Sequence, residues 1–128
     1  MNEVITTQKA PQAIGPYSQA RMTGSYLFCS GQTPLDPQTG TLVTGGIKAQ
    51  ATQVMENIKQ ILIAAQLDFN DVVKTTVFIT SMDNFSAVNE IYSRYFVDKL
   101  PARSCVAVAG LPKEALVEIE LIACNNHN

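Results

Sequence analysis

Arg103 is the residue of this chain best suited to hold a small anion. Its planar guanidinium presents paired N–H donors that match the two oxygens of a carboxylate. Glu118 and Glu120 follow in a later strand-like segment. On pattern alone two readings stay open. One is an Arg–Glu ion pair tying neighbouring strands together; the other is a carboxylate site with an acid or base beside it. Cys105 lies in the same segment as Arg103. With no base evident beside it, the thiol reads first as a small packing residue and only second as a nucleophile. Tyr17 follows the turn sequence Gly15-Pro16 and can present its hydroxyl at a pocket mouth.

Other chemistries lack their parts. The single histidine, His127, is the penultimate residue, a position usually mobile and solvated. A Ser-His-Asp or Cys-His system therefore has no base. Cys29, Cys105 and Cys124 form an odd, widely spaced set that fits neither a disulfide framework nor a zinc finger. The carboxylates show no metal-loop spacing, so no metal is expected. Gly45-Gly46 precede a helix but lack the Lys-Ser/Thr of a phosphate loop, and they read as a turn.

These residues need elements to carry them. The 128 residues read as a single domain, 1–128. Period-3.6 patterning predicts a helix from Ile47 to Gln66, with Ile47, Ala51, Val54, Met55, Ile58, Ile61, Leu62 and Ala65 on one stripe. Gln50, Gln53, Asn57 and Gln60 sit off it. A second helix is predicted from Asp83 to Asp98, capped by Asp83 or Ser81, with Phe85, Val88, Tyr92 and Phe96 as its stripe. Alternation predicts strands over Asp71 to Thr80, Arg103 to Ala109, Val117 to Ile122 and Ser25 to Ser30. Others are expected near Val4 to Gln8, Tyr17 to Arg21, and Leu42-Val43. Val73, Val77, Ile79, Val106, Val108, Val117, Ile119 and Leu121 would form the platform under both helices. The other face would carry Lys74, Phe78, Tyr26, Phe28, Arg103, Cys105, Glu118 and Glu120. Aromatics mixed with a few charges suggest a protein interface containing a polar pocket.

Composition bounds the rest. Only 16% of residues are charged against 46% hydrophobic, where a soluble domain carries about 25% charged residues. Part of the surface is expected to lie under another chain. A net charge of −2 gives no electrostatic footprint for nucleic acid, and there is no polybasic segment for a membrane. The start, Met1-Asn2-Glu3-Val4, lacks the pattern of a signal peptide, and a cytoplasmic location is the default expectation.

Taken together the strings resemble one family. Pro101-Ala102-Arg103-Ser104-Cys105-Val106, then Leu111-Pro112-Lys113, then Val117-Glu118-Ile119-Glu120, resemble the C-terminal signature of the RidA (YjgF/L-PSP) family. Ala13-Ile14-Gly15-Pro16-Tyr17-Ser18-Gln19 and Ser30-Gly31-Gln32 resemble its N-terminal motifs. Lys74-Thr75-Thr76-Val77-Phe78 and Phe85-Ser86-Ala87-Val88-Asn89 resemble its middle ones. The resemblance runs along essentially the whole chain. It implies a chorismate-mutase-like α+β fold, a mixed sheet with two helices on one face, assembled as a homotrimer with clefts between subunits. It implies hydrolysis of 2-aminoacrylate and 2-aminocrotonate, as enamine or imine, to 2-keto acids and ammonia, with no metal or organic cofactor.

By the same resemblance Arg103 binds the substrate carboxylate and Glu118 lies near the water. Tyr17, Ser30, Gly31, Asn89 and Cys105 then line the pocket. A carboxylate beside an arginine tends to stay ionised, so Glu118 is expected to position water rather than act as an acid. One departure stands out: Ala107-Val108-Ala109-Gly110 replaces the Glu-Val-Ala-Arg of many relatives. Two other functions compete, a non-catalytic ligand-binding or regulatory module and an endoribonuclease. The acidic balance and the lack of a usable histidine count against the nuclease. A chorismate mutase would want more cations for its dianionic substrate than Arg103 and Lys74 supply.

Overall fold

The computed structural model describes residues 2–125, so His127 lies outside the described residues. Six strands form one mixed sheet. They are β1 (Asn2–Ile5), β2 (Ala20–Thr23), β3 (Tyr26–Gln32), β4 (Val72–Ile79), β5 (Ala102–Ala107) and β6 (Val117–Cys124), in the spatial order β1-β2-β3-β6-β4-β5. All neighbours are antiparallel except β4 and β5, which run parallel. Their connection carries α2 (Phe85–Tyr92), as a parallel crossover requires. The longer helix α1 (Gly46–Ala64) enters through Gly45 and Gly46, whose φ values of 111° and 82° only glycine adopts freely. This is the turn expected of Gly45-Gly46.

Both helices cover one face of the sheet. Ala51, Val54, Met55, Ile58, Ile61 and Leu62 of α1 are buried against Leu27, Val77, Ile79, Val117, Ile119 and Leu121 of the strands. Val88, Tyr92 and Phe96 extend that core, and Phe69 meets Phe96 edge to face with ring centroids 5.1 Å apart. Burying side chains of this size contributes about 1.5–3 kcal/mol each. Among the described residues no helix is long and apolar enough to cross a membrane.

Several expectations are corrected. Gln50 and Asn57 are buried rather than solvated. The Gln50 carbonyl oxygen accepts from the Leu116 N–H at 2.8 Å, and Asn57 Nδ2 donates to the carbonyls of Thr33 (3.1 Å) and Leu35 (3.0 Å). These amides serve as internal substitutes for water on loop backbone. The second helix ends at Tyr92, beyond which Tyr95 and Phe96 bond back to the Tyr92 carbonyl as turns. Neither Ser81 nor Asp83 caps α2. The Ser81 oxygen accepts from the Asp83 N–H at 3.1 Å and so caps the short 3-10 turn Met82–Asn84 that leads into the helix, whose own N-cap, Asn84, makes no side-chain cap bond. Leu42 makes a single bridge with Leu35 in place of a strand. Val73 is exposed because a bulge between Val72 and Lys74 shifts the register and turns Val72 inward instead.

The largest correction concerns β5. Its register with β4 aligns Thr75 with Arg103, Val77 with Cys105 and Phe78 with Val106. Paired residues share a face, so Arg103 and Cys105 lie on the helix side while Val106 points the other way and is exposed. Val108 lies beyond the strand and is half-buried.

Candidate functional site

Two clusters hold the expected site residues, one on each face of the sheet. The first forms around a bulge in β3. Cys29 pairs with Leu121 and Gln32 with Ile119, so Ser30 and Gly31 together oppose Glu120. Such bulges re-aim side chains beside functional sites. The Ser30 hydroxyl donates to the Ser18 carbonyl at 2.6 Å, and its N–H bonds the Gln19 carbonyl at 2.9 Å. The hydroxyl lone pairs remain available to a ligand N–H.

Gly31 lets Glu118 approach. A Cβ at Gly31 would lie 2.8 Å from Glu118 Cδ and overlap the carboxylate. Tyr17, Ser30, Gly31, Glu118 and Glu120 line one cavity of about 540 Å³. Pro11, Gln12 and Ile14 form one wall and Pro112 and Lys113 another. The Ile14 N–H donates to the Tyr17 hydroxyl at 3.3 Å, across a turn in which Gly15 has φ 126°. Opposite, Lys113 and Glu114 both adopt left-handed backbone, φ 56° and 58°, a strain of about 1–3 kcal/mol each. Lys113 Nζ reaches across to the Gly40 carbonyl at 3.2 Å.

Glu118 is half-buried, and its pKa is raised above the ordinary carboxylate range, first by desolvation and then by the charge of Glu120. Among the described residues of the same copy no arginine pairs with it. Its carboxyl thereby offers this cavity an acid–base group.

The second cluster joins α2 to β5. Arg103 Nη1 donates to Asn89 Oδ1 at 2.6 Å. The guanidinium carbon lies 4.9 Å from the Tyr92 ring centroid and 5.6 Å from that of Phe85. Among the described residues no other acceptor takes a hydrogen bond from Arg103, and no carboxylate pairs with it. The fork therefore stays open to an anion from outside the chain. Neither the ion-pair reading of Arg103 and Glu118 nor a common face for them survives. Glu118 aligns with Phe78, and Phe78 with Val106, three residues past Arg103. Two strand spacings and three residue rises put their Cα atoms about 14 Å apart, on opposite faces.

Cys105 packs against the core, and burial pushes its thiol up while Arg103 pulls it down. Cys29 is buried and its thiol is pushed up to about 12, first by desolvation and then by Glu120. Neither is an activated nucleophile. Among the described residues no three His, Cys, Asp or Glu side chains gather as a metal site.

Sequence reasoning missed Gln19 as an organiser. Its buried amide accepts from the Thr7 N–H at 2.7 Å and donates to the carbonyls of Thr7, Ala10 and Pro11. It fixes the segment that supplies the Pro11–Ile14 wall. Gln19 was legible only as the last residue of a motif, which says nothing of this role. Lys113 was legible only as part of a motif.

Comparison with known proteins places the chain in a family. The sequence profile of the endoribonuclease L-PSP family matches residues 7–125. A RutC family protein of Pyrococcus horikoshii is 54% identical over 96% of this chain and 98% of its own. The 2-iminobutanoate/2-iminopropanoate deaminase of Mus musculus is 52% identical, over 96% of this chain and 91% of its own. The crystal structure of Escherichia coli TdcF with bound serine superposes with a TM-score of 0.93 at 46% identity, covering 97% of this chain and 99% of that one. The chain belongs to the endoribonuclease L-PSP family, the RidA (YjgF/L-PSP) family that its motifs resemble.

Proposed function

We propose that the protein hydrolyses 2-iminobutanoate and 2-iminopropanoate, with their enamine tautomers 2-aminocrotonate and 2-aminoacrylate, to 2-keto acids and ammonia. The observation that carries this reading is the open fork of Arg103, held by Asn89 and two rings in a chain that also offers the half-buried Glu118 carboxyl on a cavity. The name of the mouse relative, a 2-iminobutanoate/2-iminopropanoate deaminase, supports the substrate class. No metal or organic cofactor enters the scheme.

A three- or four-carbon acid cannot span about 14 Å through a sheet. The proposal therefore includes a cyclic homotrimer. Arg103, Asn89 and Cys105 of one copy face Tyr17, Ser30, Gly31 and Glu118 of the next. Tyr26, Phe28 and Val106, exposed on the helix-free face, supply apolar surface for that assembly.

In the shared cleft Arg103 takes the substrate carboxylate, fixing the C=C–N unit near Glu118. Glu118, in its protonated form, donates its proton to C3 of the enamine, giving the iminium, the protonated imine. The resulting carboxylate then accepts a proton as water adds to C2. Collapse of the carbinolamine expels ammonia and leaves the keto acid, so one water is consumed per ammonia released. Ser30 Oγ accepts from the substrate nitrogen.

The test couples a serine/threonine dehydratase to keto-acid detection with and without this protein. The wild type should accelerate keto-acid formation, and Arg103→Ala should abolish the acceleration while remaining trimeric by sedimentation. No acceleration by the wild type would refute the deaminase, and a fully active Arg103→Ala would refute the anchor.

A further inference from the structure

Arg103 sits on an edge strand with an exposed side chain, where such a long chain ordinarily samples many rotamers. Here its guanidinium is confined to one orientation. The Tyr92 and Phe85 rings lie under it, and Asn89 takes one of its donors. The shelf is itself braced. The Tyr92 hydroxyl is bonded to Thr75 at 2.7 Å, a residue fully buried in β4. The Phe96 ring also packs on Tyr92, with ring centroids 4.6 Å apart. The hydroxyl tether also crosses from α2 to the strand that pairs with Arg103 itself, since Thr75 and Arg103 are register partners.

We infer that Tyr92, with Phe85, is a positioning residue for the substrate carboxylate. The rings hold the Arg103 fork pointing out of the chain, so that ligand binding does not first have to order it. This rests on the reading of Arg103 as the carboxylate anchor. It assigns to two residues of an apolar helix stripe a role in ligand affinity that core packing alone does not give. Tyr92 contributes its ring as the shelf and its hydroxyl as the brace. Phe85, half-buried and farther from the guanidinium, contributes the outer part of the shelf.

The experiment titrates 2-oxobutanoate into wild type, Arg103→Ala, Tyr92→Phe, Tyr92→Leu and Phe85→Leu. Binding is followed by calorimetry and the Arg103 Nε–Hε resonance by NMR. In the wild type the rings should shift that resonance away from its solvent-exposed position. Tyr92→Leu should weaken binding about 10-fold and Phe85→Leu about 3-fold. Both should move the resonance toward its solvent-exposed position and raise KM more than they lower kcat. Tyr92→Phe keeps the ring and should restore binding to within about 3-fold of wild type.

A folded Tyr92→Leu with wild-type affinity and an unmoved resonance would overturn the proposal. Should that variant fail to fold, unchanged affinity and resonance in Phe85→Leu would overturn it equally. A purely structural role predicts a lower melting temperature with neither readout altered. Arg103→Ala separates the layers. If it binds as wild type does, the anchor reading fails. If it loses binding while both leucine variants keep theirs, only the shelf fails.

Discussion

Replacing Gly31 by alanine should separate folding from catalysis. The Gly31 backbone lies outside the left-handed region, so alanine suits its conformation. The added Cβ would nevertheless sit 2.8 Å from Glu118 Cδ, closer than carbon atoms approach, and would overlap the carboxylate. Glu118 ends a flexible side chain, so the carboxyl can swing aside by about 1 Å without moving the sheet. Folding stability should then change by no more than about 1 kcal/mol. Displacing a reacting group by about 1 Å costs about 100-fold in rate. The dehydratase-coupled assay reads that loss directly, and urea denaturation reads the stability. A double-mutant cycle sharpens it. If Gly31→Ala acts by moving Glu118, adding it to Glu118→Gln should cost almost nothing further. A Gly31→Ala enzyme within threefold of wild type, or a fully additive double variant, would refute the reasoning.

Glu118 also ties stability to pH. Its folded pKa lies above the unfolded value, so the folded state binds more protons, and its contribution is complete below the unfolded pKa and lost as pH rises through the folded one. Glu118→Gln should therefore raise the melting temperature relative to wild type at pH 7, with the difference vanishing near pH 4. Cys29, with its thiol pushed up to about 12, carries a thiolate fraction of about one in ten thousand at pH 8; it should resist a disulfide-exchange reagent until the protein is unfolded, and rapid native labelling at Cys29 by peptide mapping would contradict that. Asn57→Ala removes the donors to the Thr33 and Leu35 carbonyls and should cost about 2–3 kcal/mol in urea denaturation.

How far the sequence reached depended on the strength of each local pattern. The α1 stripe, from Ala51 to Leu62, is a long period-3.6 signal and was legible residue by residue. The same signal hid Gln50 and Asn57, since an amide that satisfies loop carbonyls looks like a solvated one. The β4 strand was legible except at Val73, where a bulge resets the alternation without marking the composition. The β5 strand was read in the wrong phase. On an edge strand with most side chains exposed, Val106 reads as a residue of the helix-covered face and Arg103 as one of the helix-free face, whereas the register with Thr75 and Phe78 reverses both faces. That error merged two clusters into one, and it made Glu118 seem to neighbour an arginine that lies on the other face. Nothing within β5 carries the information, because register belongs to the pair of strands. The expected pocket residues Tyr17, Ser30, Gly31 and Glu118 do line one cavity, and Asn89 does hold Arg103.

The central claim is that Arg103 and Glu118 work together only across two copies of the chain. Arg103→Ala and Glu118→Gln are each expected to be inactive alone. Unfolding them together in equal amounts and refolding should give trimers of random composition. In a cyclic trimer every mixed assembly contains one cleft with both groups intact, so the mixture should recover about a quarter of wild-type activity. Measured keto-acid formation near that level confirms the split site. Activity no higher than that of the two variants refolded separately would contradict it.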